Sequence, residues 1–233
     1  VVAGKGHETY QEYKKKKYFS DKDCIIKSIK EKNKTLNKNW KTNILEENLD
    51  NRLNHKIIIN EACINSKEVK KNNIFIGIRG NKIDGNKFAN EAIKKGASIS
   101  IIDKNYGKKI KNKIKVNNTL KFFTKCATKV RASSNIIAIG ITGSAGKTSL
   151  KELLGQSLSK IHNTTYSKKS FNNKYGVPVS LFNIDKKDKF GVFEIGMDRK
   201  GEINYLSKII KPNIGLITNI TYAHSKNFKN LFG

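Results

Sequence analysis

Short apolar runs alternate with polar and helix-like stretches through the first half of the chain. Three of these runs are rich in Ile and are typical of strands: residues 55–60, 72–80 and 97–103. Between the last two, residues 86–96 follow a helical pattern that ends at Gly96, a residue type that commonly stops a helix. This alternation predicts a small α/β domain over residues 44–117.

A second series of apolar runs occupies residues 118–233. A helix-like stretch over residues 119–131 precedes the fully apolar run 135–142, which is typical of a buried parallel strand. A glycine-rich turn, a stretch of helical period and two further buried strands follow: residues 143–146, 147–160, 189–197 and 213–220. Their order predicts a parallel sheet flanked by helices, so both segments indicate the α/β fold class.

The start of the chain has a different pattern. Residues 1–30 begin with an apolar strand end and a glycine turn, "VVAGKGHETYQ", and continue into a short helix that Ser20 or Asp21 would cap. Residues 31–43 are polar and rich in Lys and Asn, which predicts a linker.

The charge of the chain raises the question of nucleic-acid binding. The 47 Lys and Arg residues outnumber the 19 Asp and Glu residues, for a net charge of +28. Nearly all of this excess is lysine, accompanied by abundant Asn and Ile, whereas arginine is favoured for bidentate recognition of phosphates and bases. We therefore predict a solvated surface of biased composition and no nucleic-acid partner, with a basic nucleic-acid-binding protein as the alternative.

The cysteines and the apolar content narrow the cellular setting. Cys24, Cys63 and Cys126 are isolated, which is typical of a reducing compartment and predicts a cytoplasmic protein without a disulfide frame. No apolar run approaches the roughly 20 residues of a membrane span. Because Met197 is the only methionine, we expect the sequence to be part of a longer protein.

The stretch "GITGSAGKTSLKE" carries the strongest chemical signal in the chain. A buried strand leads into a glycine turn, and a helix begins at Gly-Lys-Thr, so backbone N–H groups and the positive helix end would surround a phosphate. The predicted ATP-binding residues are Thr142, Gly143, Ser144, Ala145, Gly146, Lys147, Thr148 and Ser149. Lys147 would reach the β- and γ-phosphates and Thr148 would coordinate Mg²⁺. Since Ile141 replaces the first glycine of the general pattern, an ordinary strand-to-helix turn is the alternative.

Two further side chains follow buried strands of the same predicted sheet. Glu194 ends the strand in "FEIGM", and His224 follows the strand in "NIGLITNI". Carboxyl ends of parallel strands share one edge, where ligands bind, and a carboxylate there suits Mg²⁺. We consider both residues as candidate metal ligands, with a structural role as the alternative for each.

Four motifs together resemble the Mur ligases, the ATP-dependent amide-forming enzymes of peptidoglycan precursor synthesis. They are "TGSAGKTSLKE", "SFNNKYGVPVSL", "FEIGMDRKGEI" and "NITYAHSKNF", in the order typical of that family. The motifs are most similar to the branch that adds D-alanyl-D-alanine to UDP-N-acetylmuramoyl-tripeptide. The resemblance implies a UDP-sugar-binding domain at residues 44–117 and an incomplete ATP-binding central domain at residues 118–233.

The resemblance also implies roles for individual residues. Lys147, Glu194 and His224 would be catalytic, with Glu194 and His224 holding a second Mg²⁺ and Thr148 the first. The residues that match substrate-binding positions are Ser66, Arg79, Gly80, Asp84, Gly85, Asn172 and Asn173. This chain departs from the family at Asn65-Ser66-Lys67, where Asp-Ser-Arg is usual, and at Asn86, where His is common.

Residues 1–30 have a separate resemblance, to the C-terminal end of the branch that adds diaminopimelate or lysine. Gly4 and Glu8 would match residues that hold the incoming amino acid. The two pieces imply a fused bifunctional ligase, with translation across adjacent genes as the alternative. We expect the 233 residues alone to bind nucleotide weakly and to catalyse nothing.

The implied reaction activates a carboxylate with ATP as an acyl phosphate, which the amine of D-Ala-D-Ala then attacks. Three other readings stay open at this stage. They are a Mur-type ligase with another substrate, including the branch that adds the third residue and the folylpolyglutamate synthases, a P-loop kinase or GTPase, and the non-catalytic basic protein.

Overall fold

A computed structural model gives the fold of most of the chain. It describes residues 10–12, 16–18, 21–49, 53, 57–80, 83–107 and 109–221. The chain forms two compact units, Val1–Trp40 and Lys41–Gly233. The candidate site lies in the second unit, which contains two four-stranded sheets.

The first unit contains a strand pair and most of a long helix, whose last residues belong to the second unit. Strand β1 (Tyr10–Glu12) pairs antiparallel with β2 (Lys16–Tyr18), and helix α1 runs over Asp21–Glu46. Residues 31–43, predicted to be a linker, are therefore helical, and their role as a linker stays a prediction. The helix can continue through this polar stretch because α1 contains neither Gly nor Pro, and because Lys, Leu and Glu are good helix formers.

The first sheet of the second unit is parallel and follows chain order. Its strands are β3 (Ala62–Cys63), β4 (Ile74–Ile76), β5 (Ile99–Asp103) and β6 (Lys113–Val116). Helix α2 (Ala89–Lys94) follows a short 3₁₀ turn at Gly85–Phe88 and contributes Ala89 and Ala92 to a core with Phe75 and Ile102.

The strand predicted at residues 55–60 is wrong for the part that the structure describes. Residues 57–60 belong to no strand, and pairing begins at Ala62. The carbonyl oxygens of Ile57 and Ile58 instead accept hydrogen bonds from the hydroxyls of Thr42, at 3.1 Å, and Ser98, at 2.8 Å. Side chains thus satisfy backbone groups that a neighbouring strand would otherwise pair.

The second sheet is parallel in the order β10-β7-β9-β8. Its strands are β7 (Ile137–Thr142), β8 (Thr164–Tyr166), β9 (Phe190–Glu194) and β10 (Ile214–Ile217). The flanking helices are α3 (Thr119–Ala132), α4 (Lys147–Ser159), α5 (Gly176–Phe182) and α6 (Glu202–Ile210). The predicted α/β class with parallel sheets is confirmed.

Helix α5 anchors this half of the unit, since all seven of its residues are buried. Its Phe182 ring lies 5.3 Å from that of Phe123 in α3, measured between centroids. Just beyond α5, the Asn183 side chain accepts from the backbone N–H of Ala62 at 2.6 Å, which ties the two sheets together. The predicted domain boundary between residues 117 and 118 stays a prediction.

Lys41 is a buried cation within the second unit. Its ammonium donates to the carbonyl oxygen of Asn60 at 2.8 Å and lies 5.5 Å from the centre of the Phe182 ring. Burial lowers the pKa of Lys41 to about 8.

Across the described ranges, no helix has both the length and the apolar character that crossing a membrane requires.

Candidate functional site

A glycine loop joins β7 to α4 at the carboxyl edge of the second sheet. Gly143 and Gly146 have φ angles of +134° and +78°, in a region that side chains with a Cβ rarely adopt. A Cβ on Gly143 would also come within 3.0 Å of the backbone nitrogen of Asn219. Glycine at 143 is therefore required both by conformation and by close packing.

Four backbone N–H groups at the start of α4 have no acceptor among the described residues. The first intrahelical bond runs from the N–H of Leu150 to the carbonyl oxygen of Gly146, at 3.0 Å. Within the described part of the chain, nothing accepts a hydrogen bond from the N–H groups of residues 146–149. Since a helix N-terminus also carries partial positive charge, this turn is suited to an anion such as phosphate.

Lys147 lies over the same loop. Its ammonium donates to the carbonyl oxygens of Gly143, at 2.6 Å, and Ser144, at 3.3 Å. These are neutral acceptors, so the lysine charge is not matched by either contact. The cation is thus held next to the unpaired N–H groups, where a phosphate would meet both.

The other side of the loop is fastened to the segment after β10. The Ser144 N–H donates to the Asn219 carbonyl oxygen at 3.0 Å, and the Ala145 N–H donates to the Asn219 side-chain oxygen at 2.9 Å. The Thr221 N–H donates to the Ser144 hydroxyl at 2.8 Å. Two of the N–H groups predicted to face phosphate are therefore used inside the protein.

Sequence reasoning gave Asn219 no role, although the residue stands in one of the quoted motifs. Its contacts depend on β10 lying beside β7, which brings the ends of those two strands together. A polar residue just after a strand was the available signal. The signal becomes interpretable only once the strand order is known.

Glu194 ends β9 directly opposite Ile141 of β7, and the residue is only 1% exposed. One carboxylate oxygen accepts from the Thr148 hydroxyl at 2.9 Å, and the other accepts from the Asn172 amide at 2.8 Å. The structure thus brings together three of the predicted site residues. Thr148 and Glu194 also place two hard oxygen donors side by side, which fits a Mg²⁺ ion.

Several other predicted residues fall outside this cluster. Gly4, Glu8 and His224 lie outside the described residues. Among the residues that the structure does describe, no group of three or more His, Cys, Asp or Glu side chains could hold a metal. The candidate magnesium ligands here are therefore one carboxylate and one hydroxyl.

A cavity of about 610 Å³ opens beside Lys147. Asn172 and Asn173, both predicted to line a substrate cleft, are among its lining residues. The Asn173 side-chain oxygen accepts from the N–H groups of Tyr175, at 3.0 Å, and Gly176, at 3.1 Å. Asn173 therefore also fixes the start of α5.

The first sheet has its own polar cluster at its carboxyl edge. The Arg79 guanidinium lies 3.9 Å from Asp84 and 3.8 Å from Asp103. Between the two carboxylates, the buried Asn86 amide donates to Asp84 at 2.6 Å and to Asp103 at 3.0 Å, and its oxygen accepts from the Asp103 N–H at 2.9 Å. Arg79 and Asp103 also line a second cavity, of about 300 Å³, together with Asn118.

The remaining residues predicted to contact a sugar nucleotide serve the fold in this structure. The buried Ser66 hydroxyl donates to Glu91 at 3.1 Å. The Gly80 N–H donates to the Ile83 carbonyl oxygen at 2.9 Å, and a Cβ on Gly85 would come within 2.5 Å of the Ile78 oxygen. None of Ser66, Gly80 and Gly85 is among the described residues that line the 300 Å³ cavity.

Two family models match the second unit. Residues 59–132 match the model described as "Mur ligase family, catalytic domain", and residues 141–232 match "Mur ligase middle domain". The first match covers the sheet with the Asn86 cluster. The second covers the glycine loop, Lys147, Thr148 and Glu194.

Individual proteins of known name resemble the same region. A UDP-N-acetylmuramoyl-tripeptide–D-alanyl-D-alanine ligase of Buchnera aphidicola subsp. Baizongia pistaciae is 38% identical over 180 residues, which are 77% of this chain and 39% of that protein. The crystal structure of MurF from Acinetobacter baumannii matches with a TM-score of 0.70 and 26% identity, over 83% of this chain and 44% of that one.

A third match is the MurF ligase of Thermotoga maritima, whose crystal structure is a complex with ADP. Its TM-score is 0.60 at 28% identity, over 72% of this chain and 39% of that one. The chain therefore spans about two fifths of the length of each of these three proteins.

Proposed function

The chain belongs to the Mur ligase family, and we propose that it supplies the ATP-binding and sugar-nucleotide-binding parts of an ATP-dependent amide ligase. The reaction would join D-alanyl-D-alanine to the carboxyl end of UDP-N-acetylmuramoyl-tripeptide. Support comes from the relatives, since the Buchnera protein carries the name of that activity and the Thermotoga structure contains ADP.

One observation carries the proposal. The N–H groups of residues 146–149, which have no acceptor in the described part of the chain, lie next to the Lys147 ammonium and the Thr148–Glu194 pair. A nucleoside triphosphate would match these groups, because its phosphates are anionic and its metal ion prefers oxygen ligands. The 610 Å³ cavity beside Lys147 would leave room for the carboxyl group that receives the γ-phosphoryl group.

Each residue of the site would have a separate role in this reaction. A carboxylate resists attack by an amine, and phosphorylation gives it a good leaving group. Lys147 and the N–H groups of residues 146–149 would hold the phosphates and balance their charge. Asn172 would fix the rotation of Glu194 through the 2.8 Å hydrogen bond between them.

Thr148 and Glu194 would hold a Mg²⁺ ion. When bound, the ion supplies neutralisation of charge on the transferred phosphoryl group. The second Mg²⁺ predicted for Glu194 and His224 stays a prediction, since His224 lies outside the described residues. The Arg79 cluster of the first sheet would meet the uridine diphosphate end of the substrate, since a guanidinium suits a phosphate.

The Lys147→Ala variant of the full-length protein tests the proposal. We expect phosphate release from ATP that depends on both UDP-tripeptide and D-Ala-D-Ala to fall by at least about a hundredfold, because a charged donor to the phosphates is lost. Lys160→Ala is the matched control, since Lys160 is an exposed lysine just past the far end of the same helix.

Two results would overturn the proposal. Equal rates in the wild type and Lys147→Ala would remove the assigned role of the loop. ATP turnover by the wild type that needs diaminopimelate or lysine as the amine, and ignores D-Ala-D-Ala, would assign the chain to the branch that adds the third residue.

A further inference from the structure

Tyr175 lies between the two cavities and lines both of them. It lines the 610 Å³ cavity together with Lys147 and Glu202, and it lines the 300 Å³ cavity together with Arg79 and Asp103. Of the described residues, Tyr175 alone is common to both linings. The two cavities therefore meet at this residue.

The backbone of Tyr175 is held firmly. Its N–H donates to the Asn173 side chain at 3.0 Å, and the residue leads directly into the fully buried α5. A Cβ on the following residue, Gly176, would come within 2.5 Å of the Phe171 Cα, so the chain is tightly packed there. The ring is consequently presented from a fixed point.

The side chain itself is available to a ligand. It is partly exposed, and no described residue forms a hydrogen bond with its hydroxyl. One contact orients the ring, namely the Lys174 ammonium 5.2 Å from the ring centre. A ligand could therefore pack on the ring and hydrogen-bond the hydroxyl without displacing any protein contact of that oxygen.

The cations on either side indicate the kind of ligand. Arg79 lines one cavity beside Asp103, and the other cavity has three lysines and two carboxylates: Lys147, Lys174, Lys200, Asp198 and Glu202. Each cavity thus offers a cation to an anionic group, and an elongated molecule with such a group near each end would have to cross Tyr175. A nucleotide sugar that carries a peptide has this form, with a diphosphate at one end and a carboxylate at the other.

We propose that Tyr175 is the specificity-determining contact at the junction of sugar and peptide, and that it binds the nucleotide-sugar peptide on both sides of its ring. This inference rests on the proposed function. It assigns to one residue the continuity between the 300 Å³ cavity, which would hold the sugar nucleotide, and the 610 Å³ cavity, which would hold the carboxyl end. Tyr175 acts on binding of the substrate, with no part in the transfer of phosphate.

Binding to the full-length protein without ATP tests this assignment. The probes are UDP-N-acetylmuramic acid and UDP-N-acetylmuramoyl-tripeptide, measured by titration calorimetry. We expect Tyr175→Ala to raise the Kd of both ligands about tenfold. Tyr175→Phe should keep both Kd values within about threefold of the wild type, because the ring provides most of the contact. The Kd for ATP should not change.

Tyr205 provides the matched control, since it lines the 610 Å³ cavity and is absent from the described lining of the other. Tyr205→Ala should leave the affinity for peptide-free UDP-N-acetylmuramic acid unchanged. If Tyr175→Ala does not fold, Tyr175→Leu keeps the bulk and removes the flat ring, and the same tenfold loss is expected.

Unchanged affinity for either probe in a folded Tyr175→Ala or Tyr175→Leu variant would overturn the assignment. That result leaves the proposed function intact if the wild type binds both probes and couples ATP to D-Ala-D-Ala. Failure of the wild type to bind either probe would remove the proposed function and this inference together.

Discussion

The two sheets of the second unit are built alike, yet their carboxyl edges differ. Both are four-stranded and parallel, and both end in polar residues. At the first sheet, Asn86 bonds to Asp84 and Asp103, so the buried polar groups satisfy one another. At the second sheet, the N–H groups of residues 146–149 have no acceptor among the described residues.

This difference separates a polar cluster that supports the fold from one that waits for a ligand. Asn86 is buried, and its polar groups are paired within the protein, as buried polar groups normally are. The N–H groups of residues 146–149 begin a helix at a partly exposed turn, so they are open to an acceptor such as phosphate. Arg79, largely exposed at 64%, is the part of the first cluster best placed to contact one.

The largest expected effect comes from removing the charge of Glu194. In the full-length protein, Glu194→Gln should lower kcat about a hundredfold or more, because the cation loses its carboxylate ligand while the side chain keeps its shape. Steady-state kinetics at several Mg²⁺ concentrations would measure it. Asp103→Asn at the first sheet should change KM for the nucleotide sugar and leave KM for ATP unaltered.

A similar loss of kcat in both variants would erase the distinction between the two edges. So would a Glu194→Gln enzyme with normal kcat and normal dependence on Mg²⁺.

A smaller effect, on stability, is expected from Asn86→Leu. The change leaves the Asp103 N–H without its acceptor and the two carboxylates without their shared donor, so the free energy of unfolding should fall by about 3 kcal/mol. Denaturant titration of the chain would measure this change. Asn90→Leu is the control at an exposed position and should lower the free energy of unfolding by less than about 0.5 kcal/mol. An Asn86→Leu chain as stable as the wild type would mean that the first cluster does not support the fold.

The smallest effect concerns the ion pairs between the two halves of the unit. Lys169 lies 2.6 Å from Glu68, and Lys168 lies 2.9 Å from Glu61, but all four side chains are at least 40% exposed. Lys169→Ala should therefore lower the free energy of unfolding by only about 0.5 kcal/mol, and less at high salt. A loss above about 2 kcal/mol, against Lys160→Ala, would show that these contacts hold the two sheets together.

Much of the fold follows from local patterns in the sequence. The apolar runs around Ile137–Thr142 and Phe190–Glu194 are buried central strands, as predicted, because parallel strands covered on both faces need continuous apolar residues. The helix over residues 31–43 was not predicted, because polar composition alone does not show whether a helix continues. The run at residues 57–60 was mispredicted because the hydroxyls of distant residues replaced a strand partner.

The residues of the candidate site also fall into those that local patterns in the sequence reveal and those that they do not. Lys147, Thr148 and Glu194 could be identified because each stands at a fixed place relative to a strand or helix end. Asn219 and Asn86 could not, since their roles depend on which strands are neighbours and on which side chains meet there. Ser66 and Gly85 matched a family pattern, and the structure uses both within the fold.

The bonds from Asn219 to the glycine loop have a consequence for how tightly a nucleotide can bind. A loop that is disordered when empty must lose conformational entropy on binding, and that loss weakens the observed affinity. Here the bonds to Asn219 hold Ser144 and Ala145, so the loop has fewer conformations to lose. We therefore expect a smaller entropy cost of nucleotide binding than for a loop without such bonds.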